Sequence, residues 1–248
     1  MRLRQFIHSL HRWLGLALGI QVVIWTMSGV VMSLLPIEHV RGENMIAYDA
    51  PVELKVQNYF PPAGVLTEVD GPREATLKFW LGREVYVVTG ASGKTMFDAD
   101  TGERISPISE EDARRAAVAD FAGEDAIERA TLLNRAPQEA GKRGPLWRIE
   151  FSDRDKTRLY VSPETGEVVA RRNRIWRFYD FFWMLHIMDY KERDNFNNPL
   201  IRVFALTGLM FALSGLTLVG FRIQNGRYAE DGRRAIKRNG NGKDKAAD

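Results

Sequence analysis

Two long stretches without a charged residue dominate the pattern of apolar and polar positions along the chain. The first, Trp13–Leu35, reads WLGLALGIQVVIWTMSGVVMSLL, and the second covers Val203–Phe221. A helix rises about 1.5 Å per residue, so the first stretch exceeds the roughly 30 Å hydrocarbon core of a bilayer and the second just reaches it. Pro36 ends the first helix. The pattern therefore predicts transmembrane helices within residues 1–38 and 199–222.

The first stretch has one alternative interpretation, a cleavable signal peptide, because it lies near the N-terminus. Its apolar run is longer than the roughly 7–15 residues of a signal peptide, and no small-x-small cleavage site follows it. We therefore expect this stretch to remain as a membrane helix.

A third apolar stretch, Ile175–Tyr190, is short and strongly aromatic. It reads IWRFYDFFWMLHIMDY, with six aromatic residues from Trp176 to Trp183 and three charged residues. Aromatic side chains favour the boundary between lipid and water, so the sequence predicts an interfacial helix within residues 175–198. The alternative is that this stretch crosses the membrane as a third helix.

The charges at the two ends indicate how the chain crosses the membrane. Residues 1–12 carry three Arg and no acidic residue, residues 221–248 carry eight basic and four acidic residues, and the net charge of +3 leaves −4 for the region between. Positive ends stay in the cytoplasm. Two crossings therefore place both ends inside, including a basic tail at 223–248, whereas three crossings would place that tail outside.

This topology predicts a membrane protein, surrounded by membrane lipid, whose central domain at 39–174 lies outside the cytoplasm. In a bacterium this corresponds to the inner membrane, with the domain in the periplasm. The basic residues lie at the ends of the chain instead of clustering on a folded domain. Such a distribution is not typical of a nucleic-acid-binding protein.

The central domain contains an internal repeat of an alternating strand, a polar turn, a second strand and a Thr-Gly-Glu turn. The first copy, EVYVVTGASGKTMFDADTGERIS, begins at Glu84, and the second, RIEFSDRDKTRLYVSPETGEVVA, begins at Arg148. Aligning the two Thr-Gly-Glu turns matches Val85 with Ile149 and matches the second strands as well. Each copy predicts a β-hairpin.

A helix is predicted between the two copies. Ser109 is a candidate N-cap followed by acidic residues, and Ala113, Ala116, Ala117 and Phe121 recur with helical spacing. Antiparallel hairpins with a helix packed on one face define an α+β fold.

The candidate chemistry of the chain rests on its histidines. The chain has no Cys, which excludes disulfides, thiolate zinc sites, iron–sulfur clusters and covalently attached haem. His8 and His11 lie at the predicted cytoplasmic end of the first span, and His39 and His186 lie at the outer end. The central domain shows no catalytic constellation.

Three motifs resemble the PepSY-associated transmembrane family. The segment HRWLGLALGIQVVIWTMSGVVMSL, from His11, is similar to the family's first membrane helix. LHIMDY, from Leu185, and the following NPLIRVFALTGLMFALSGLTLVGF are similar to its second membrane unit, where a Leu-His pair precedes a helix ending in Ser-Gly-Leu. The two Thr-Gly-Glu hairpins resemble PepSY repeats. The resemblance implies an α+β membrane protein whose two transmembrane helices and interfacial helix flank an extracytoplasmic PepSY-like domain.

Some members of this family are similar to ferric-siderophore reductases that hold haem between helices. Larger members have four or more membrane helices, whereas this chain has two predicted spans and no flavin- or nicotinamide-binding domain. The resemblance thus implies a first hypothesis, in which haem b passes electrons across the membrane to an iron-related acceptor outside.

In this hypothesis His11 and His186 are the expected iron ligands, because they match the family's His positions, and His8 and His39 are further candidates. Bis-imidazole ligation requires one His on each side of the iron. His11 and His186 are expected at opposite membrane faces and therefore in different haem sites. The inner site would take His11 from two chains of a homodimer, and the outer site would pair His186 with His39 or with a partner. Asp189 is expected to orient the imidazole of His186.

The second hypothesis is a non-catalytic module anchored in the membrane. Its PepSY-like domain would bind a peptide or protein partner, and its helices would tether it or assemble it into a larger membrane complex. His8 and His11 would then lie beside lipid phosphates, and His39 would be an exposed loop residue. The visible spectrum of the purified protein distinguishes the two hypotheses.

Overall fold

The computed structural model describes residues 2–47, 54, 58–141 and 144–243, with side chains described between residues 3 and 226. Contacts divide the chain into two compact units. Met1–Met32 and Phe182–Asp248 form one unit, which we call the helical unit, and Ser33–Phe181 forms the other, the central unit.

The secondary structure of the described residues consists of helices at both ends of the chain and strands between them. The α-helices are α1 (Arg2–Leu34), α2 (Ile37–Arg41), α3 (Pro62–Thr67), α4 (Glu110–Asp120), α5 (Arg174–Ile187) and α6 (Pro199–Lys243). The strands are β1 (Glu74–Trp80), β2 (Arg83–Gly90), β3 (Gly93–Asp98), β4 (Ile127–Leu133), β5 (Leu146–Phe151), β6 (Arg158–Val161) and β7 (Val168–Arg172).

The two predicted membrane spans are confirmed. Leu3–Leu34 in α1 and Pro199–Gly226 in α6 are long and apolar enough to cross a bilayer. Helix α1 ends two residues before Pro36, as the sequence predicts. Helix α6 continues to Lys243, so helical structure extends into the predicted basic tail. A helix is also present at the aromatic stretch, as α5, and its position at the interface stays a prediction.

One stripe along α1 is shielded from the surroundings. Its positions recur every three or four residues and comprise Ile7, His11, Leu14, Leu18, Gln21, Trp25, Ser28 and Met32. This spacing places the stripe on one face of the helix. The stripe is not purely apolar, because Gln21 and Ser28 are among its most buried members.

The central unit confirms the predicted α+β class. It contains two antiparallel sheets with strand orders β1-β2-β3 and β4-β5-β6-β7. Alternate side chains of each strand face the core, so Val85 of β2 and Ile149 and Phe151 of β5 are buried in one cluster. Ala113 and Ala117 of α4 complete that cluster.

Helix α4 matches its prediction closely. The Ser109 hydroxyl accepts a hydrogen bond from the Asp112 backbone N–H at 3.1 Å, which satisfies one free donor of the first turn. The predicted apolar face is buried at Ala113, Ala116 and Ala117. Phe121 follows the last turn and is 7% exposed.

The two Thr-Gly-Glu turns have the same backbone hydrogen bonds. They are Asp98 N–H to Glu103 O (2.8 Å) and Gly102 N–H to Asp98 O (3.0 Å) in the first, and Ser162 N–H to Glu167 O and Gly166 N–H to Ser162 O (both 2.9 Å) in the second. Both glycines adopt a left-handed conformation, with φ of 75° at Gly102 and 66° at Gly166. The two copies of the sequence repeat therefore have the same backbone structure at these turns.

The predicted alignment of the first strands is wrong. Tyr86 pairs with Phe97 in the first hairpin, and Trp147 pairs with Val161 in the second, so Val85 and Ile149 are not equivalent positions. The reason is that the second hairpin has a longer loop. Gly90 and Gly93 close a tight turn in the first hairpin, whereas the loop 152–156 of the second is held by hydrogen bonds to the Asp153 carboxylate.

Candidate functional site

His11 contacts α6 through its Nδ1 atom and through one face of its ring. Its Nδ1 lies 2.9 Å from the Ser214 hydroxyl and 3.2 Å from the Phe211 carbonyl oxygen. The imidazole stacks on the Phe211 ring with centroids 4.2 Å apart and an interplanar angle of 8°. This residue is therefore held in one orientation within the helical unit.

Glycines make this close contact possible. A Cβ on Gly215 would lie 3.0 Å from Cε1 of His11, and a Cβ on Gly15 would lie 2.9 Å from the Phe211 ring. Because such distances are shorter than ordinary van der Waals contacts, larger residues at these positions would displace the rings. The Ser-Gly-Leu pattern of α6 is thus the surface on which His11 packs.

His186 makes an analogous contact at the other end of α1. Its Nδ1 lies 3.0 Å from the hydroxyl of Ser28, a residue with no solvent exposure. Gly29 follows Ser28, and a Cβ there would lie 3.8 Å from Cε1 of His186. Each of the two histidines therefore contacts a Ser-Gly pair on a transmembrane helix.

The two contacts are far apart along α1. His11 and Ser28 are seventeen positions apart, which at 1.5 Å per residue corresponds to about 25 Å along the helix axis. One metal ion or one haem iron cannot bond both imidazoles directly. The helical unit therefore presents two separate histidine sites.

The other two predicted ligands are arranged differently. His8 is exposed and lines an open depression with Arg4, Gln5, Ser9 and Arg12. His39 is also exposed and lies on α2 of the central unit, where its backbone carbonyl accepts a hydrogen bond from Asn173 at 3.1 Å. His39 and His186 belong to different units, so their pairing stays a prediction. Among the described residues, no group of three or more His, Asp or Glu side chains could hold a metal ion.

The expected role of Asp189 is wrong. Its carboxylate accepts hydrogen bonds from the backbone N–H groups of Lys191, Glu192, Asp194 and Asn195. Burial alone would raise the pKa of Asp189, but these four donors outweigh it and lower the pKa below its ordinary value. The imidazole of His186 is held by Ser28 instead, so Asp189 organises the loop before α6.

The central unit has a groove between the free edges of its two sheets. Strands β1 and β7 form its walls, α4 contributes Ala116 and Ala119, and its volume is about 850 Å³. Two ion pairs lie in it, Lys78 with Glu167 at 2.9 Å and Arg171 with Asp120. Burial alone would raise the pKa of Glu167, but the Lys78 hydrogen bond and charge lower it.

Sequence reasoning missed Ser28 and Ser214. The signal was present, because each serine precedes a glycine in an uncharged stretch, and the second Ser-Gly is part of the family's motif. A serine in a membrane helix usually bonds its own backbone, so the sequence alone does not show that an imidazole lies against it.

Two membrane-spanning helices and an α+β unit with paired Thr-Gly-Glu hairpins define a membrane protein with a folded domain between its spans. The chain belongs to the family of the PepSY-associated TM region, whose family model matches residues 8–248 and so includes all four histidines. The match is to the family as a whole, and the similarity to ferric-siderophore reductases stays a prediction. Neither a curated protein nor a solved structure matches the chain.

Proposed function

We propose that this membrane protein binds haem b at two sites, with His11 and His186 as iron ligands, and passes electrons across the membrane. The observation that carries the proposal is the hydrogen bonding of the two imidazoles. Each holds its Nδ1 against a serine hydroxyl, and no described residue forms a hydrogen bond with its Nε2. An imidazole fixed through one nitrogen is suited to ligate a metal through the other.

The residues present fit a haem ligand. Gly215 lets the His11 ring lie close to α6, and much of the exposed surface of α1 and α6 is formed by large apolar side chains. Haem, when bound, supplies a one-electron redox centre. The chain orients the ligating rings, and the lipid-embedded helices keep water away from them.

The second axial ligands follow from the separation of the two sites. The inner site would take His11 from each chain of a homodimer, since α1 offers no second imidazole on the opposite side of the same iron. The outer site would pair His186 with His39 or with a histidine of a larger complex. His8 is exposed and is not required in this arrangement.

The proposed topology gives the electron path a direction. Both basic ends would face the cytoplasm of a bacterial cell, and the central unit would face the periplasm. Electrons would then move from the His11 site to the His186 site and to an iron-related acceptor outside.

The decisive experiment is the visible spectrum of the full-length protein purified from haem-replete cells, with haem measured per chain. The wild type is expected to show a Soret band, and His11→Ala and His186→Ala are each expected to lose part of the haem. His8→Ala serves as the control and is expected to keep all of it. A colourless wild type, or full haem content in both variants, would contradict the proposal.

A second candidate function is the anchored binding module, and the groove of the central unit favours it. Strands β1 and β7 are each the edge strand of a sheet along its two walls, and Phe79 and Val169 are each 37% exposed there. An extended peptide pairs with such edges through its backbone. The module would bind an extended, largely apolar peptide.

The two neighbouring residues Ala119 and Val118 allow a matched test. Ala119 lines the groove, whereas Val118 is exposed on α4 outside it. The full chain in detergent is challenged with a phage-displayed library of extended heptapeptides. Ala119→Arg is expected to abolish enrichment that Val118→Arg preserves, and equal enrichment with both variants would count against the groove.

A further inference from the structure

We infer that Ser28 and Ser214 are positioning residues that fix the tautomer of the two histidines. Each serine places the single proton of its neutral imidazole on Nδ1 and leaves the lone pair on Nε2. The tautomer assignment is inferred from the hydrogen-bond geometry and does not depend on haem. Its consequence for ligation rests on the proposed haem function.

The direction of each hydrogen bond follows from the one proton of a serine hydroxyl. The Ser214 hydroxyl donates to the Phe211 carbonyl at 2.7 Å, and the Ser28 hydroxyl lies 2.8 Å from the Ile24 carbonyl and 3.0 Å from the Trp25 carbonyl. These hydrogen bonds place the single hydroxyl proton on a backbone carbonyl, which can only accept. The oxygen lone pairs then face the imidazole.

His11 has a second, independent constraint. Its Nδ1 also lies 3.2 Å from the Phe211 carbonyl oxygen, which is another acceptor without a proton. An unprotonated Nδ1 would face two sets of lone pairs there. The proton therefore belongs on Nδ1, and a neutral ring then has its lone pair on Nε2.

The same device occurs twice, and each time the serine and the histidine lie in distant parts of the sequence. His11 of α1 uses Ser214 and Gly215 of α6, whereas His186 of α5 uses Ser28 and Gly29 of α1. In each case the serine holds the ring and a glycine follows it; a Cβ would lie 3.0 Å from the ring at Gly215 and at an ordinary contact distance of 3.8 Å at Gly29. A serine can bond its own helix backbone without any imidazole nearby. Because both serines also contact a histidine, we infer that their role is to position the ring.

Two threonines provide matched controls. Thr26 donates to the Val22 carbonyl at 2.9 Å and Thr217 to the Leu213 carbonyl at 2.8 Å, and both are exposed hydroxyls without an imidazole partner. Thr26 lies on the same helix as Ser28, and Thr217 lies on the same helix as Ser214. Like the serines, each threonine donates a hydrogen bond to a carbonyl of its own helix. Replacing them tests the effect of losing a helix hydroxyl by itself.

The test is nitrogen NMR of the haem-free, full-length protein labelled at histidine, in detergent at alkaline pH, where imidazole rings are neutral. His11→Gln and His186→Gln assign the two signals. The wild type is expected to show the Nδ1–H tautomer at both histidines. Ser28→Ala should move His186 to a mixture with the Nε2–H tautomer, and Ser214→Ala should do the same to His11 to a smaller extent, because the Phe211 carbonyl remains.

Thr26→Val and Thr217→Val are expected to leave both signals unchanged. The inference is overturned if the wild type shows the Nε2–H tautomer, or if both serine variants keep the wild-type ratio. This readout requires no haem, so a colourless protein would contradict the proposed function and leave the tautomer assignment intact.

If haem is bound, the serine variants have a second readout. Loss of the acceptor at Nδ1 makes the imidazole a poorer electron donor to the iron, so the midpoint potential of one haem is expected to rise while haem content stays constant. Ser28→Ala should shift one haem and Ser214→Ala the other. A shift of both haems by each variant would indicate general distortion and overturn the site-specific role.

Discussion

The central unit and the helical unit bury different kinds of side chains. The largest fully buried side chains of the central unit are mainly apolar, such as Phe97, Phe151 and Ile149. In the described part of the helical unit, the residue without solvent exposure is Ser28, a polar residue. Burial in the central unit is explained by the hydrophobic effect, whereas burial of Ser28 is explained by the imidazole that it holds.

The same contrast extends to unsatisfied groups on α1. The amide nitrogen of Gln21 and the indole nitrogen of Trp25 are buried without a hydrogen-bond partner among the described residues. An apolar stripe would bury the same surface at lower cost. The stripe of α1 is therefore less favourable for stability than a fully apolar one would be.

The largest expected effect is a loss of stability that is confined to the central unit. Phe151→Ala removes a 1%-exposed side chain that packs on Phe121 with ring centroids 4.2 Å apart. It should lower the free energy of unfolding of the central unit by about 3–5 kcal/mol. Denaturant unfolding followed by near-UV circular dichroism measures this. The NMR signals of His11 and His186, which lie in the helical unit, should remain those of the wild type, and their loss would show that the two units do not behave separately.

Gly215→Val is the corresponding change in the helical unit. The new side chain overlaps His11 and should cost about 1–3 kcal/mol, displacing the ring from Ser214. Gly208→Val is its control, because a Cβ at Gly208 meets nothing within 4 Å. The NMR signal of His11 should change with the first variant only, and a change with both would contradict the close packing described here.

Gln21→Leu should increase stability, in contrast to the two preceding changes. Removing a buried donor without a partner should stabilise the helical unit by about 1–2 kcal/mol. Thermal unfolding in detergent, followed by helical circular dichroism, compares it with Ile20→Leu, a change at an exposed neighbour. A destabilised Gln21→Leu protein would show that this amide has a partner in the membrane.

The smallest effect concerns pH and the loop before α6. Because the folded-state pKa of Asp189 is lowered, its charged form stabilises the loop above the ordinary pKa of 3.8, and this contribution is lost as the pH falls through the folded pKa. The protection of the amide hydrogens at residues 191–195, relative to their intrinsic exchange at the same pH, should therefore decrease below pH about 4. Asp189→Asn should exchange rapidly already at neutral pH, and slow exchange in that variant would contradict the role of the carboxylate.

The sequence predicted what depends on local pattern. The two spans follow from length without charge, and α4 follows from Ser109 and three alanines at helical spacing. The hairpin alignment failed because the Thr-Gly-Glu turns fix only the second strands, and a loop of different length shifts the first strand against them. A repeated sequence pattern does not show how long the loop of each hairpin is.

The candidate sites were predicted only in part. His11 and His186 were identified from residue type and position, but their partners lie about 200 and 160 residues away, respectively, and no local rule connects them. Asp189 was chosen because it is near His186 in sequence. Its carboxylate instead accepts hydrogen bonds from four backbone N–H groups of the loop that follows it.

The length of α6 has a mechanical consequence. Its 45 residues make a rod about 68 Å long, more than twice the hydrocarbon thickness of a bilayer. The seventeen residues after Gly226 extend the helix by about 25 Å beyond the apolar span. Electrostatic attraction is screened within about 8 Å at physiological salt. Held upright, the far end of this rod would lie beyond the distance over which lipid headgroups attract charge.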